Sequence, residues 1–118
     1  MRSDQERLND ILQAISKIVA RAPVSLEVFL GDEMLQVWVI YHLQVIGEAA
    51  RAVSESLRDR HPEVPWPQII ALRNILVHEY FGLNMEQVWT MMSKDLPALG
   101  ETIGRIRSAF PPDSEAGS

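Results

Sequence analysis

The twelve residues ALRNILVHEYFG, Ala71 to Gly82, decide how the chain is read. Leu72, Ile75, Leu76, Val77 and Phe81 have the spacing of a buried helix, yet Arg73, Asn74, His78 and Tyr80 stand among them and need polar partners. At about 100° per residue, Asn74 and His78 stack on one line whose other occupant is the small Ala71. Arg73 and Tyr80 share a second line, through the apolar arc. On one straight helix Arg73 and His78 are therefore roughly 140° apart. They meet only through the reach of the Arg side chain, through unwinding near Gly82, or through a second copy of the helix, which a symmetric dimer would supply. A helix apolar almost all round is expected to be central or to lie between two protomers.

The segments on either side are also helical. Ser3 to Glu6 has the spacing of a capping box, and Leu8, Ile11, Leu12, Ile15, Ile18 and Val19 continue it as an apolar stripe, so a first helix is predicted over about 4–21. RAPVS breaks it, Ser25 caps a short turn through Leu30, and Asp32 is the N-cap of the next element. No proline and only Gly47 interrupts the stripe Leu35, Val39, His42, Ile46, Ala49, Val53 and Leu57, which predicts one helix of roughly 28 residues, about 42 Å long, ending near Arg60. HPEVPWPQ stops it, with Trp66 pinning the loop to the bundle. The opening stretch forms a helix over about 67–81 with Gly82 as its stop. Asn84 with Gln87 resembles another cap, followed by an apolar face from Met85 to Ile106. Pro97 predicts a kink or restart within it, with Asp95 as the new N-cap. No strand-like alternation competes. The expected fold is all-α, an up-and-down four-helix bundle with a short additional helical turn, over residues 1–110, followed by a disordered tail, 111–118.

Composition narrows the function. The 118 residues suffice for one domain with a real core, and the absence of cysteine removes disulfides and thiolate metal sites. No apolar run reaches the length of a membrane span, so a cytoplasmic protein with no membrane contact is expected. The formal charge is -5, with nine Arg and two Lys, which argues against broad, charge-driven nucleic-acid binding. RNA contact must then be local or shared with a partner. Three scattered His give no metal site, and no cofactor is expected. His42 and His61 are read as structural.

RNILVHEY, Arg73 to Tyr80, fits the pattern R-x4-H-x-Y, and the chain resembles the HepT family, the toxin component of HepT–MntA toxin–antitoxin pairs within the HEPN superfamily. VIGEAAR (Val45 to Arg51), HPEVPWPQI (His61 to Ile69), HEYFGLN (His78 to Asn84) and DLPAL (Asp95 to Leu99) stand in the family's order and spacing. The resemblance covers about Asp4 to Ile106. It implies a HEPN-like bundle and a metal-independent endoribonuclease with Arg73 and His78 as catalytic residues and tRNA as the expected substrate. It also implies an MntA-like nucleotidyltransferase antitoxin that silences the toxin by attaching AMP to Tyr80.

The residue types suit that chemistry. RNA carries its own nucleophile, the 2′-OH, so His78 can serve as general acid or base, and the C-terminal end of a helix favours its imidazolium. Arg73 can hold the scissile phosphate and the charge of a pentacoordinate transition state. Asn74 either orients the imidazole, binds a phosphate oxygen, or merely satisfies backbone at a helix interface. Glu48 can pair with Arg73 and hold it. Arg51, Arg58 and Arg60 either line an RNA path or form a solvated face. A homodimer is expected, with His78 of the second copy as a candidate for the other proton-transfer group. The alternative is a non-catalytic helical module that uses the Arg73–His78 groove to bind a nucleotide or a partner protein.

Overall fold

The computed structural model describes residues 3–78 and 84–110, with residues 77 and 78 by backbone alone. The first helix, α1, spans Asp4–Ala20 and begins with the expected capping box: Glu6 N donates to Ser3 Oγ at 3.1 Å and Ser3 N donates to Glu6 Oε1 at 2.8 Å. Leu8, Ile11, Ala14, Ile15 and Ile18 form its buried stripe. Ser25 caps α2, Leu26–Leu30, through Val28 N, and Asp32 caps α3, Glu33–Ala52, through Leu35 N.

The single long helix expected from Asp32 to Arg60 is two helices. Val53 is extended (φ -65, ψ 143), and a separate α4 spans Glu55–Arg60. Ser54 accounts for the break. Its hydroxyl accepts from Leu57 N as the N-cap of α4, while its own N and Oγ donate to the two carboxylate oxygens of Asp4, at 2.8 and 2.6 Å. Three polar bonds replace one turn of helical ladder, and Val53 and Leu57 stay buried on either side of the joint.

After α4 the chain folds on itself. Trp66 Nε1 donates to His61 O at 2.9 Å, and the ring is buried, so the tryptophan pins the proline-rich loop as its position suggested. Helix α5, Trp66–His78, follows, then α6, Met85–Thr90, capped by Asn84 Oδ1 through Glu86 N and Gln87 N. The restart at Pro97 takes another form than expected. Residues Met91–Asp95 form a π-helical turn that runs into α7, Leu96–Ser108; Asp95 is itself helical and makes no cap bond. A widened turn accommodates a residue that lacks an N–H and crowds the carbonyl four places back, so the helix continues without a cap.

The four main helices are α1, α3, α5 and α7, an all-helical bundle in which α1 packs on both α3 and α7, and α3 packs on α5. Phe29, Leu8, Ile11, Leu43, Ile46 and Ile103 are among the fully buried side chains of the core. Asn9 Oδ1 accepts from Arg107 Nε at 2.8 Å and ties α7 to α1. Among the described residues of this one chain, helix α5 is not the centre of the bundle. It rests mainly on α3, with Ile69 and Leu76 buried but Ile75 43% exposed, so its apolar composition does not bring apolar burial all round.

Candidate functional site

Helix α3 carries a glycine, Gly47, in its interior, where glycine costs about 1 kcal/mol relative to alanine. The contact with α5 gives the reason. A Cβ at position 47 would stand 2.8 Å from Arg73 Cβ, 3.1 Å from Ile69 O and 3.2 Å from Arg73 N. The two helices thus touch nearly backbone to backbone at this point. Arg73 begins on the α3-facing side of α5, and its long stem carries the guanidinium outward until the side chain is about a third exposed (35%).

Two neighbours orient the fork. Arg73 Nε lies 3.4 Å from Glu48 Oε1, the pairing that the sequence suggested, and Arg73 Nη1 donates to Asn74 Oδ1 at 3.1 Å. Asn74 therefore serves the arginine directly. The same Glu48 oxygen is 3.6 Å from Arg51 Nε. Glu48 is half exposed rather than buried, so these ion pairs are screened by water and contribute at most about 1 kcal/mol each. Their effect is on geometry: one carboxylate sits between two guanidinium groups and leaves the cluster with a net positive charge on a protein that is acidic overall.

The remaining predicted residues distribute differently. His78 ends α5, so its backbone is on the same helix as Arg73, while its side chain and the whole of Tyr80 lie outside the described residues. Arg51, Arg58 and Arg60 do not follow one another down a single helix, because the break at Val53 puts the first on α3 and the others on α4. Among the described residues Arg58 Nε is buried with no hydrogen-bond partner, and Arg60 Nε donates to Ser56 O.

The two other histidines are held structurally. His42 is buried with Trp38 and Tyr41 edge-on to its ring, at 4.4 and 5.1 Å between centroids, and burial, then the Lys17 ammonium, pushes its pKa below the ordinary value. His61 Nδ1 lies 3.2 Å from Glu63 Oε2. Among the described residues no group of three His, Cys, Asp or Glu is placed to hold a metal ion, and no helix is long and apolar enough to cross a membrane. A cleft of about 490 Å³ opens elsewhere, between α5 and the π-helical turn and α7; Leu43, Ile69, Leu72, Met91 and Leu99 line it, and Arg73, Asn74 and Glu48 do not.

Gly47 stands out in the sequence as the one interruption of the stripe, but the pattern assigns it no role. Its signal was available: a lone glycine amid strong helix formers, one place before the only carboxylate in that half of α3.

The site is thus a positioned arginine, held by Glu48 and Asn74, five residues ahead of a histidine on one helix. Comparison with known proteins points to one family. The family model described as "Ribonuclease HepT-like" matches residues 11–106. A protein of Thermococcus cleftensis named a probable ribonuclease HepT is 34% identical, over 90% of this chain and 97% of its own. A protein of Caldanaerobacter subterraneus provisionally named an RNase is 33% identical over 90% of this chain and 96% of its own, and one of Methanocaldococcus jannaschii, named likewise, is 32% identical over 81% and 89%. No solved structure matches the chain significantly. With four-fifths of its length matched by the family model and relatives above 30% identity along nearly their whole length, the chain belongs to the HepT-like ribonuclease family.

Proposed function

We propose that the protein is a cytoplasmic endoribonuclease toxin that cleaves RNA, with tRNA as the expected substrate, by attack of the 2′-OH on the adjacent phosphate. The observation that supports this most is Arg73: the arginine of R-x4-H-x-Y stands where α3 and α5 touch, with its Nε and Nη1 oriented by Glu48 and Asn74. In that position it receives the scissile phosphate and stabilises the additional negative charge of the pentacoordinate transition state. As the 2′ oxygen bonds to phosphorus, the bond to the 5′ oxygen breaks and His78 supplies its proton. The 2′-OH proton goes to a second group, for which His78 of a second copy is the candidate. The products are a 2′,3′-cyclic phosphate and a 5′-OH, and no step calls for a metal.

A second copy also resolves the angular separation of Arg73 and His78 on one helix. The exposed apolar line Met34, Val37 and Tyr41 on α3, spaced three and four apart, provides a face for it. Silencing follows from Tyr80 if a nucleotidyltransferase antitoxin attaches AMP there. The added phosphodiester then competes with RNA for Arg73.

The test is incubation of the purified protein, free of any partner, with total RNA in the presence of a chelator. Cleavage should persist and leave cyclic-phosphate ends, while Arg73→Ala and His78→Ala should each lose at least about a hundredfold in rate with the helical signal intact. Cleavage that appears only with added magnesium sinks the mechanism. No cleavage of any RNA, with nucleotide binding retained, would favour the non-catalytic module instead.

A further inference from the structure

We infer that Gly47 is a positioning residue for Arg73: the missing side chain sets the separation of α3 and α5, and with it the point at which the guanidinium emerges. The inference rests on the reading of Arg73 as the cation that receives RNA phosphate, and it adds a requirement at a residue with no side chain of its own to offer a substrate.

The contact is unusual within this molecule. Of the described glycines only Gly47 is this crowded. A Cβ at Gly104 would meet nothing within 4 Å, one at Gly100 would make an ordinary 3.4 Å contact with Ile15, and one at Gly31 would be 3.5 Å from Glu27 O. At Gly47 the atoms met are Arg73 Cβ, Arg73 N and Ile69 O. None is the far end of a flexible side chain. Relief therefore needs α5 to move as a body, by more than half an ångström before the 2.8 Å approach reaches an ordinary contact.

The geometry around the arginine makes such a shift matter. Glu48 directly follows Gly47, so the carboxylate that orients Arg73 and the contact that spaces the helices belong to the same turn of α3. Moving α5 away from α3 moves Arg73 Nε away from Glu48 Oε1, already 3.4 Å distant, while the Asn74 contact travels with α5 and is kept. The guanidinium then keeps its charge and loses its aim. A misplacement on the order of 1 Å in a group that stabilises a transition state costs up to about a hundredfold in rate.

The experiment compares Gly47→Ala with its parent, both carrying Gly104→Ala. That parent substitution lies in open space in the distant α7 and should raise helix stability without changing cleavage. Two readouts are taken: the NMR signal of Arg73 Nε–H, identified by its loss in Arg73→Lys, and steady-state cleavage of RNA. With Gly47→Ala the Arg73 signal should move toward its position in Glu48→Gln. Turnover should fall roughly ten- to hundredfold with KM changed little, and the circular dichroism should match the parent. An Arg73 signal that stays in place overturns the inference. So does a moved signal with unchanged turnover, and so does loss of the helical fold, which would make Gly47 a requirement of folding. If the parent itself cleaves no RNA, the ribonuclease reading fails, and the NMR signal alone decides whether Gly47 positions Arg73.

Discussion

Arg73 shows how little of a residue's role lies in its own interaction energy. Its pair with Glu48 is half in water and contributes at most about 1 kcal/mol, less than the usual effect of a core substitution. What the pair supplies is direction: a planar fork held at Nε and Nη1 has a fixed plane, in which, on the proposed function, it would meet phosphate oxygens. The same local charge makes the arginine open to interference. Tyr80 follows it by seven positions in the sequence, and an attached AMP would bring a phosphodiester that this cation binds as readily as RNA. Incubation with a nucleotidyltransferase antitoxin and ATP should therefore add whole AMP masses that map to Tyr80. Tyr80→Phe should keep its toxicity and escape silencing. Full silencing of Tyr80→Phe by the partner would show that control runs through binding or through another residue.

At the scale of elements, the caps were legible in the sequence and the joints were not. Ser3, Ser25, Asp32 and Asn84 each accept a backbone N–H two or three residues ahead, a bond contained within four consecutive residues. The break at Val53 depends on Asp4, fifty positions away, and no periodicity within α3 and α4 reports it. Ser54 was the sole local sign, a cap residue in the middle of an apolar stripe. Likewise the composition of α5 marked it as buried, but composition does not say that, among the described residues, the helix rests mainly on α3. The Glu48 pairing could be read because both residues are charged and one is needed by the other; the Gly47 contact is a matter of separation between two helices. Ser54→Ala tests the joint. It removes the cap to Leu57 N and the 2.6 Å bond to Asp4, and should lower stability by about 1–2 kcal/mol in urea unfolding. Combined with Asp4→Ala it should cost less than the two single changes together, since both remove the 2.6 Å bond between the side chains. Strict additivity would mean that the bond between the Ser54 hydroxyl and Asp4 contributes nothing to the break.

On the scale of the whole molecule, an acidic chain must bind a polyanion, and a single copy is poorly equipped for it. The formal charge of -5 opposes RNA at long range, so affinity has to come from a short-range cluster such as Arg51 and Arg73 around Glu48. Two copies arranged about a two-fold axis would double that cluster along one groove and bring each His78 to the other's arginine. The surface offers a place for the axis. Met34, Val37 and Tyr41 are 84%, 47% and 60% exposed, and the same three-four spacing leads through Val45 to Glu48, so a copy seated on this line would lie beside the arginine. Glutamate in the centre of such a face brings like charges together across the axis. Tyr41→Glu should therefore turn a dimer into a 13.4 kDa species in sedimentation at micromolar concentration. The helical signal should stay, and RNA cleavage should fall at least about tenfold, although Tyr41 is no part of the proposed chemistry. If the unaltered chain already sediments as a monomer and still cleaves RNA, Arg73 and His78 must converge within one copy, through the length of the arginine or a change of helix near Gly82.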